Sequence, residues 1–191
     1  MQMTFRTART ARRLNRTPKG GAQMAEFAPA LLVFILLLFP LINLIGYGMA
    51  VCTCLLIGRT GAQAAGTAST YTLALAAVQA DANNMLGSAW GQFAKIAPVG
   101  GYTNCGMDLY VTASPVGGGA STRTGPNAPF AGPVDNTNFI YEYTVSEHYL
   151  ISPFVPLGSF PFLGGIPIIG QASPFNLDTS SAAEFPDGLT Q

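Results

Sequence analysis

The chain has 191 residues, of which 49% are hydrophobic and only 9% are charged. Soluble domains carry roughly 25% charged residues, so this composition disfavours an ordinary soluble protein and favours one modest domain with a membrane anchor. The 22 glycines and 14 prolines disfavour a long helical bundle, because both residues interrupt helices and are common in loops.

The formal net charge of zero conceals a separation of charge along the chain. Residues 22–191 contain three basic and nine acidic residues, which gives −6. Residues 1–21 contain no acid and six bases, which are Arg6, Arg9, Arg12, Arg13, Arg16 and Lys19. Beside an apolar segment such a cluster is explained by its effect on membrane topology, so nucleic acid is not an expected partner.

A membrane span is predicted directly after the basic cluster. Residues 27–58 contain no charged side chain, and residues 27–45 are the most apolar part. A 19-residue helix is about 28 Å long, close to the hydrocarbon thickness of roughly 30 Å. We therefore predict a basic cytoplasmic leader over 1–21 and a transmembrane helix over 22–58 in contact with membrane lipid. Because basic residues stay in the cytoplasm, the C-terminal part should lie outside it.

A removable export signal is a weaker interpretation of the same layout. The apolar region exceeds the usual length of roughly 7 to 15 residues, and no good small-x-small cleavage site follows it. Val51 is large for the residue that precedes a lipid-modified cysteine at Cys52. The pair Arg12-Arg13 has a poor continuation for a twin-arginine signal.

Glu26 lies at the start of the apolar run, where an isolated carboxylate is unfavourable. A carboxylate at the bilayer centre costs about 2.5 to 3.5 kcal/mol, and less near the interface. Cleavage after Gly21 would create a protonated α-amino group on Ala22, one helical turn before Glu26. Such a pair 4 Å apart is worth about 4 kcal/mol at an effective dielectric constant of 20, before desolvation and entropy are subtracted. The alternatives are an interfacial acid favoured by the helix dipole and a flexible linker at Gly20-Gly21.

The sequence from Gly21 onward resembles a known processing signature. A basic cluster, Gly21, four residues, Glu26, Phe27 and a long apolar helix together resemble the N-terminus of type IV prepilins. More narrowly, "AEFAPALLVFILLLF" is similar to the TadE-like pseudopilins of tight-adherence pilus systems. The resemblance continues into the Ala-rich residues 58–69 and, weakly, into residues 149–173, which brings it to roughly half of the chain.

This resemblance implies a pseudopilin or minor pilin of a tight-adherence (Flp-type) pilus in the inner membrane. It implies that a prepilin peptidase cuts after Gly21, that Glu26 aids register with a neighbouring subunit, and that Phe27 flanks it. Other pilins or pilus assembly proteins would be its partners, and a filament subunit, a tip and a priming factor are all open roles. The alternative is a single-span anchored protein that presents an extracytoplasmic binding module and keeps residues 1–21.

Two prolines interrupt the predicted helix. Pro29 departs from the aliphatic or small residues more usual in the family, although proline is tolerated near a helix start. Pro40 removes one helix hydrogen bond and is followed by Asn43, Gly46 and Gly48. This pattern predicts a kink of the kind common in membrane helices, with a hinge or close helix packing as the functional alternative.

Residues 59–97 are predicted to form an Ala-rich helix. Apolar residues recur there mostly at spacings of three, four or seven, which is the period of a helix face. They are Ala64, Ala65, Ala68, Leu75, Val78, Met85, Leu86, Phe93 and Ile96.

Residues 98–191 are predicted to form a β-rich extracytoplasmic domain. "MDLYVTAS" at 107–114 and "FIYEYTVSEHYLI" at 139–151 alternate with period two, which indicates two half-buried strands. Phe139, Tyr141, Tyr143 and Val145 share one face of the second. Residues 166–173 are predicted as a third, edge strand. The predicted fold class is therefore α+β, with a long pilin-like transmembrane helix followed by a small antiparallel sheet.

The remaining segments are predicted as irregular. Residues 114–136 form a long Gly/Pro/Ser/Thr loop. Residues 152–170 are apolar but contain too many prolines and glycines for a second span, so they should wrap the sheet or lie near the membrane or a partner subunit. The last residues, from Asn176, resemble a loosely held polar tail.

No residue set predicts an enzyme, a cofactor or a metal site. His148 is the only histidine, and its neighbours Ser146 and Glu147 cannot join it in a triad because successive strand residues face opposite sides. The three cysteines lack metal-ligand spacing. Cys52 or Cys54 could bond to Cys105 in an oxidising compartment, whereas plain packing residues are the simpler interpretation.

Overall fold

A computed structural model describes the chain from Lys19 to Gln191 except for Pro161, with side chains from Glu26 onward. Residues 1–18, which make up most of the predicted leader, lie outside the described residues. The chain divides into two units, residues 1–38 and residues 39–191.

One long helix, α1, runs from Lys19 to Gly66. It continues past Gly58, where the predicted span ends, and both Pro29 and Pro40 lie inside it. Every large apolar side chain from Phe27 to Leu37 is at least 37% exposed. A helix that is apolar around its whole circumference is suited to a non-aqueous environment. Among the described residues this is the one helix long and apolar enough to cross a membrane.

The helix predicted over 59–97 is divided into separate elements. The end of α1 is followed by α2 (Tyr71–Gly87), α3 (Ala89–Phe93) and a short strand, β1 (Ile96–Pro98). Hydroxyl side chains explain the breaks, because they cap helix N-termini. The Thr70 Oγ1 accepts a hydrogen bond from the Leu73 N–H at 3.3 Å, and the Ser88 Oγ accepts one from the Gly91 N–H at 3.1 Å.

An antiparallel sheet of five strands forms most of the remainder. The further strands are β2 (Met107–Pro115), β3 (Thr122–Thr124), β4 (Phe139–Ile151) and β5 (Ser173–Ala182). The central strand β4 pairs with β2, with β5 and, at its C-terminal end, with β1, while β3 pairs with β2. The strands predicted at 107–114 and 139–151 are confirmed.

The third predicted strand is wrong in position. Residues 166–173 form one isolated bridge, between Pro167 and Gln171, and the third long strand is instead β5. The predicted loose tail therefore contains a paired strand and a short 3-10 helix, Pro186–Thr190. The sequence of β5 hides this, because most of its residues are small or polar on both faces and its backbone pairs with ten residues of β4.

The hydrophobic core lies on one face of the sheet, beneath α2 and the second half of α1. Alternate residues of β4 from Tyr141 to Ile151 are buried, as the period-two pattern predicts. From α2, Tyr71 and Val78 are buried, and Leu189 of the C-terminal 3-10 helix is also part of the core. The chain thus has one long apolar helix followed by an antiparallel sheet, which is compatible with the predicted α+β class.

Candidate functional site

The four residues of the predicted processing signature lie in α1. Gly21 and Ala22 are helical, and Glu26 is four residues after Ala22, so one helical turn separates them. Glu26 is exposed and Phe27 is 66% exposed. Among the described side chains Glu26 has no ion-pair partner. The helix therefore presents this carboxylate beside an exposed apolar surface.

The second half of α1 packs against the sheet domain through a stripe of small residues. Buried positions begin at Asn43 and recur every three or four residues, as one face of a helix requires. Small side chains let this face of the helix approach the sheet closely, and Ile57 is the one large side chain buried among them between Asn43 and Gly66. The small buried residues are Gly46, Ala50, Thr53, Cys54, Gly58, Gly61, Ala62, Ala65 and Gly66.

Asn43 attaches an irregular segment to α1 through three hydrogen bonds. Its Nδ2 donates to the carbonyl oxygens of Val155 at 2.9 Å and Ile169 at 2.6 Å. Its Oδ1 accepts from the Val155 N–H at 2.7 Å. The side chain is fully buried, and both its Nδ2 group and its Oδ1 atom form hydrogen bonds. In the sequence, Asn43 stands out only as a residue that follows the predicted kink at Pro40.

Replacing Asn43 with leucine should loosen the segment that it holds. The change would leave one N–H and two carbonyl groups without these partners, and each unsatisfied buried group costs about 1 to 3 kcal/mol. We expect a lower unfolding temperature in detergent and faster chymotrypsin cleavage after Phe162, which is followed by Leu163. Leu44→Ala is the matched control, because Leu44 is 56% exposed on the same turn. Equal behaviour of the two variants would contradict the assigned role of Asn43.

A buried carboxyl group, Glu147, faces α1 from the centre of the sheet. Its exposure is 0%, and neither of its oxygens has a hydrogen-bond partner among the described residues. It lies against the backbone of Gly58, close to Thr179 on β5. Burial is the main cause that raises the pKa of Glu147 to about 8, with a smaller increase from the charge of Asp178, while the nearby Thr179 hydroxyl lowers it. The group is therefore mostly protonated at neutral pH.

The sequence itself contains a pattern that predicts the burial of Glu147. It shares its strand parity with Tyr141, Tyr143 and Val145, so the alternation that predicts the buried face also places this acid on it. The Tyr149 hydroxyl is likewise buried without a partner, and the Glu147 charge adds to the burial that raises the pKa of Tyr149. Together with Tyr143, whose hydroxyl also lacks a partner, three buried side chains thus have unpaired polar atoms among the described residues.

All three cysteines are free thiols. Cys52 is exposed on α1, whereas Cys54 and Cys105 are buried in the core. The Cys105 Sγ donates a weak hydrogen bond to the Met107 carbonyl oxygen at 3.7 Å, and burial raises the pKa of its thiol. The two buried residues act here as small core side chains.

The opposite face of the sheet is polar and half-exposed. The His148 Nδ1 lies 3.0 Å from the Asn176 Oδ1, and its Nε2 lies 3.7 Å from the Asp108 Oδ2. Arg123 and Asp178 form an ion pair at 3.0 Å. Glu147 is on the other face from His148, so the structure does not bring them together. Within the described part of the chain, no three acidic, cysteine or histidine side chains form a metal-binding group.

Comparisons with protein-family models, with curated proteins and with solved structures found no match to this chain. A functional interpretation is therefore built on the features of the chain itself. These are the acid at the start of an apolar helix, the small-residue seat of that helix, and the irregular segment that Asn43 holds.

Proposed function

We propose that the protein is a pseudopilin or minor pilin of the tight-adherence type, anchored in the cytoplasmic membrane and processed after Gly21. The observation that carries this proposal is the position of Glu26 and Phe27, five and six residues beyond Gly21 on a helix of 48 residues whose following turns are apolar on all sides. A plain anchor needs the apolar turns but has no use for the acid.

The chemistry of processing would supply the missing partner of Glu26. Hydrolysis of the peptide bond after Gly21 leaves a carboxylate on Gly21 and an amine on Ala22, which is protonated at neutral pH. That amine lies one helical turn from Glu26 within the same chain, and it can also meet Glu26 of an adjacent subunit. Either pairing removes an unpaired charge from the lipid boundary and gives neighbouring helices a defined register.

The exposed apolar surface of α1 supports an assembly role in the same way. Its side chains contact lipid in the membrane and would contact the helices of other pilins in an assembly. Both surroundings are apolar, so transfer between them carries a small net cost per unit of area. The second half of α1 belongs to the folded domain, so the anchor and the sheet domain share one continuous helix.

The orientation follows from the charges that flank the helix. Six basic residues precede the apolar run, and Arg59 is the next basic residue after it. The N-terminus is accordingly cytoplasmic and the sheet domain extracytoplasmic in this proposal. The peptidase would then act at the cytoplasmic face, where Gly21 emerges from the membrane.

N-terminal sequencing of the membrane-bound protein tests the proposal directly. Co-expression of the full chain with a prepilin peptidase should give Ala-Gln-Met, and the variant Gly21→Leu should give Met-Gln-Met because a bulky residue replaces the glycine at the bond that is cut. Gly20→Ala is the matched control and should still be processed. A wild-type chain that retains Met-Gln-Met under these conditions would instead be a plain anchored ectodomain.

A further inference from the structure

The segment that Asn43 holds has an unusual surface for a protein exposed to water. We define the apolar loop as residues 152–160 and 162–170. No charged residue occurs between positions 149 and 177. Phe162 is 96% exposed, Phe160 is 47% exposed and Ile166 is 40% exposed. Removing large apolar side chains of this kind from water is favourable.

Part of the backbone of the apolar loop is paired within its own turns. The N–H groups of Phe160, Gly164 and Gly170 donate to the carbonyls of Leu157, Phe160 and Ile166 at 2.9 to 3.0 Å. Asn43 provides partners for Val155 and Ile169. Irregular backbone is tolerated at membrane depth only where its polar groups are paired, so these paired turns are the parts of the loop suited to that depth.

The loop meets α1 inside the apolar run of the helix. Asn43 lies within residues 27–45, the most apolar part of the predicted span. Three residues further on, the Phe154 ring packs against Gly46, where no side chain intervenes. An open groove of about 160 Å³ lies beside this contact and is lined by Ile42, Ile45, Gly46, Met49, Phe93 and Phe154. Its lining is apolar, as a lipid acyl chain requires.

Residues typical of the membrane–water interface lie at this contact and about two turns beyond it along α1. The Trp90 Nε1 donates to the Thr53 Oγ1 at 2.9 Å, and Thr53 is ten residues beyond Asn43, about 15 Å along the helix. The Lys95 Nζ donates to the Phe154 carbonyl at 3.0 Å. Tryptophan and lysine concentrate at the interface because each has an apolar body and a polar end. In a membrane-anchored protein these two residues would place the part of α1 from Gly46 to Thr53 at the outer boundary of the bilayer.

We propose that the apolar loop inserts into the outer leaflet of the bilayer that α1 crosses, where Phe160, Phe162 and Ile166 contact phospholipid acyl chains. This inference rests on the membrane anchoring included in the proposed function, but it does not depend on processing or pilus assembly. The membrane is favoured over a second protein chain because the loop is fixed to the helix at the depth of the apolar run. The sheet domain is then held at the membrane surface by two elements.

Single-tryptophan variants in vesicles of brominated phospholipids test the insertion. Trp90 is the only tryptophan, so full-length Trp90→Phe is a background without this fluorophore. In that background, Phe162→Trp reports on the loop, and Leu37→Trp reports on the anchor. Val116→Trp is the matched control, since Val116 is 61% exposed and lies beside Asn138, at the opposite end of β4 from Ile151. Circular dichroism of each variant verifies the fold.

We expect bromine quenching to remove most of the fluorescence at positions 37 and 162 and little at position 116. A different result would overturn the loop insertion but not the anchor: bromine quenches position 37, whereas acrylamide, which is dissolved in the water, quenches position 162. If position 162 were shielded from both quenchers, another protein chain would cover the loop and the lipid assignment would be wrong. An unquenched position 37 would overturn the membrane anchoring itself.

Discussion

Replacing Gly58 with leucine should destabilise the folded domain by about 3 kcal/mol. A Cβ atom at Gly58 would overlap the Glu147 carboxyl group, and the Thr179 Oγ1 would lie 3.1 Å from it. Overpacking a core costs about 1 to 3 kcal/mol, and the carboxyl that the leucine would displace is itself fully buried. In an isolated helix the same change would be favourable by nearly 1 kcal/mol, so the expected sign is opposite to helix propensity.

Gly48→Leu is the matched control for this prediction. Gly48 is exposed on the same helix, and a Cβ there meets nothing within 4 Å. Guanidinium unfolding in detergent should show Gly48→Leu at or above wild-type stability and Gly58→Leu well below it. Adding Glu147→Ala to Gly58→Leu should recover part of the loss, because it empties the space that the leucine needs. Two glycine variants of equal stability would show that α1 does not contact Glu147.

The sequence alone predicts the helices and strands whose hydrophobic periodicity is strong. The apolar run of α1 and the alternation of β4 each have one dominant signal, and both elements are present. The strand β5 was missed because residues such as Thr179, Ser180 and Ser181 carry no hydrophobic alternation, and it forms through backbone pairing with β4. The break after Gly66 was missed because capping by Thr70 outweighs the alanine periodicity on both sides of it.

The candidate site was predictable only in part. Glu26 is recognisable because an acid next to an apolar run is anomalous within the sequence itself. The role of Asn43 depends on Val155 and Ile169, which are more than 100 residues away, so no local pattern contains it. The need for glycine at position 58 is equally hidden from local patterns, because it arises from contact with Glu147 on β4.

The stability of the domain should fall as the pH rises towards 8, and Glu147 should be the main cause. Burial raises the pKa of this carboxyl from an ordinary value of 4.5 to about 8. Between these values the unfolded chain has released the proton and the folded chain retains it, so unfolding becomes easier by up to about 1.4 kcal/mol per pH unit. Below 4.5 both states are protonated and the effect is absent; above 8 both are ionised and the penalty is fully present.

Guanidinium unfolding at pH 6 and at pH 9 tests this dependence. The groups around Glu147 are acidic or neutral, namely Asp178, Tyr149, Cys54 and Thr179, so none of them supplies a compensating cation as the pH rises. Glu147→Gln keeps the shape and removes the titration, and it should lose most of the pH 6 to pH 9 difference. Glu142→Gln is the matched control, because it removes an acid from the opposite, half-exposed face of the same strand. If Glu147→Gln kept the wild-type pH dependence, the carboxyl of Glu147 would be ionised and solvated in the folded protein. The close contact between α1 and this carboxyl at Gly58 would then have to open to admit water.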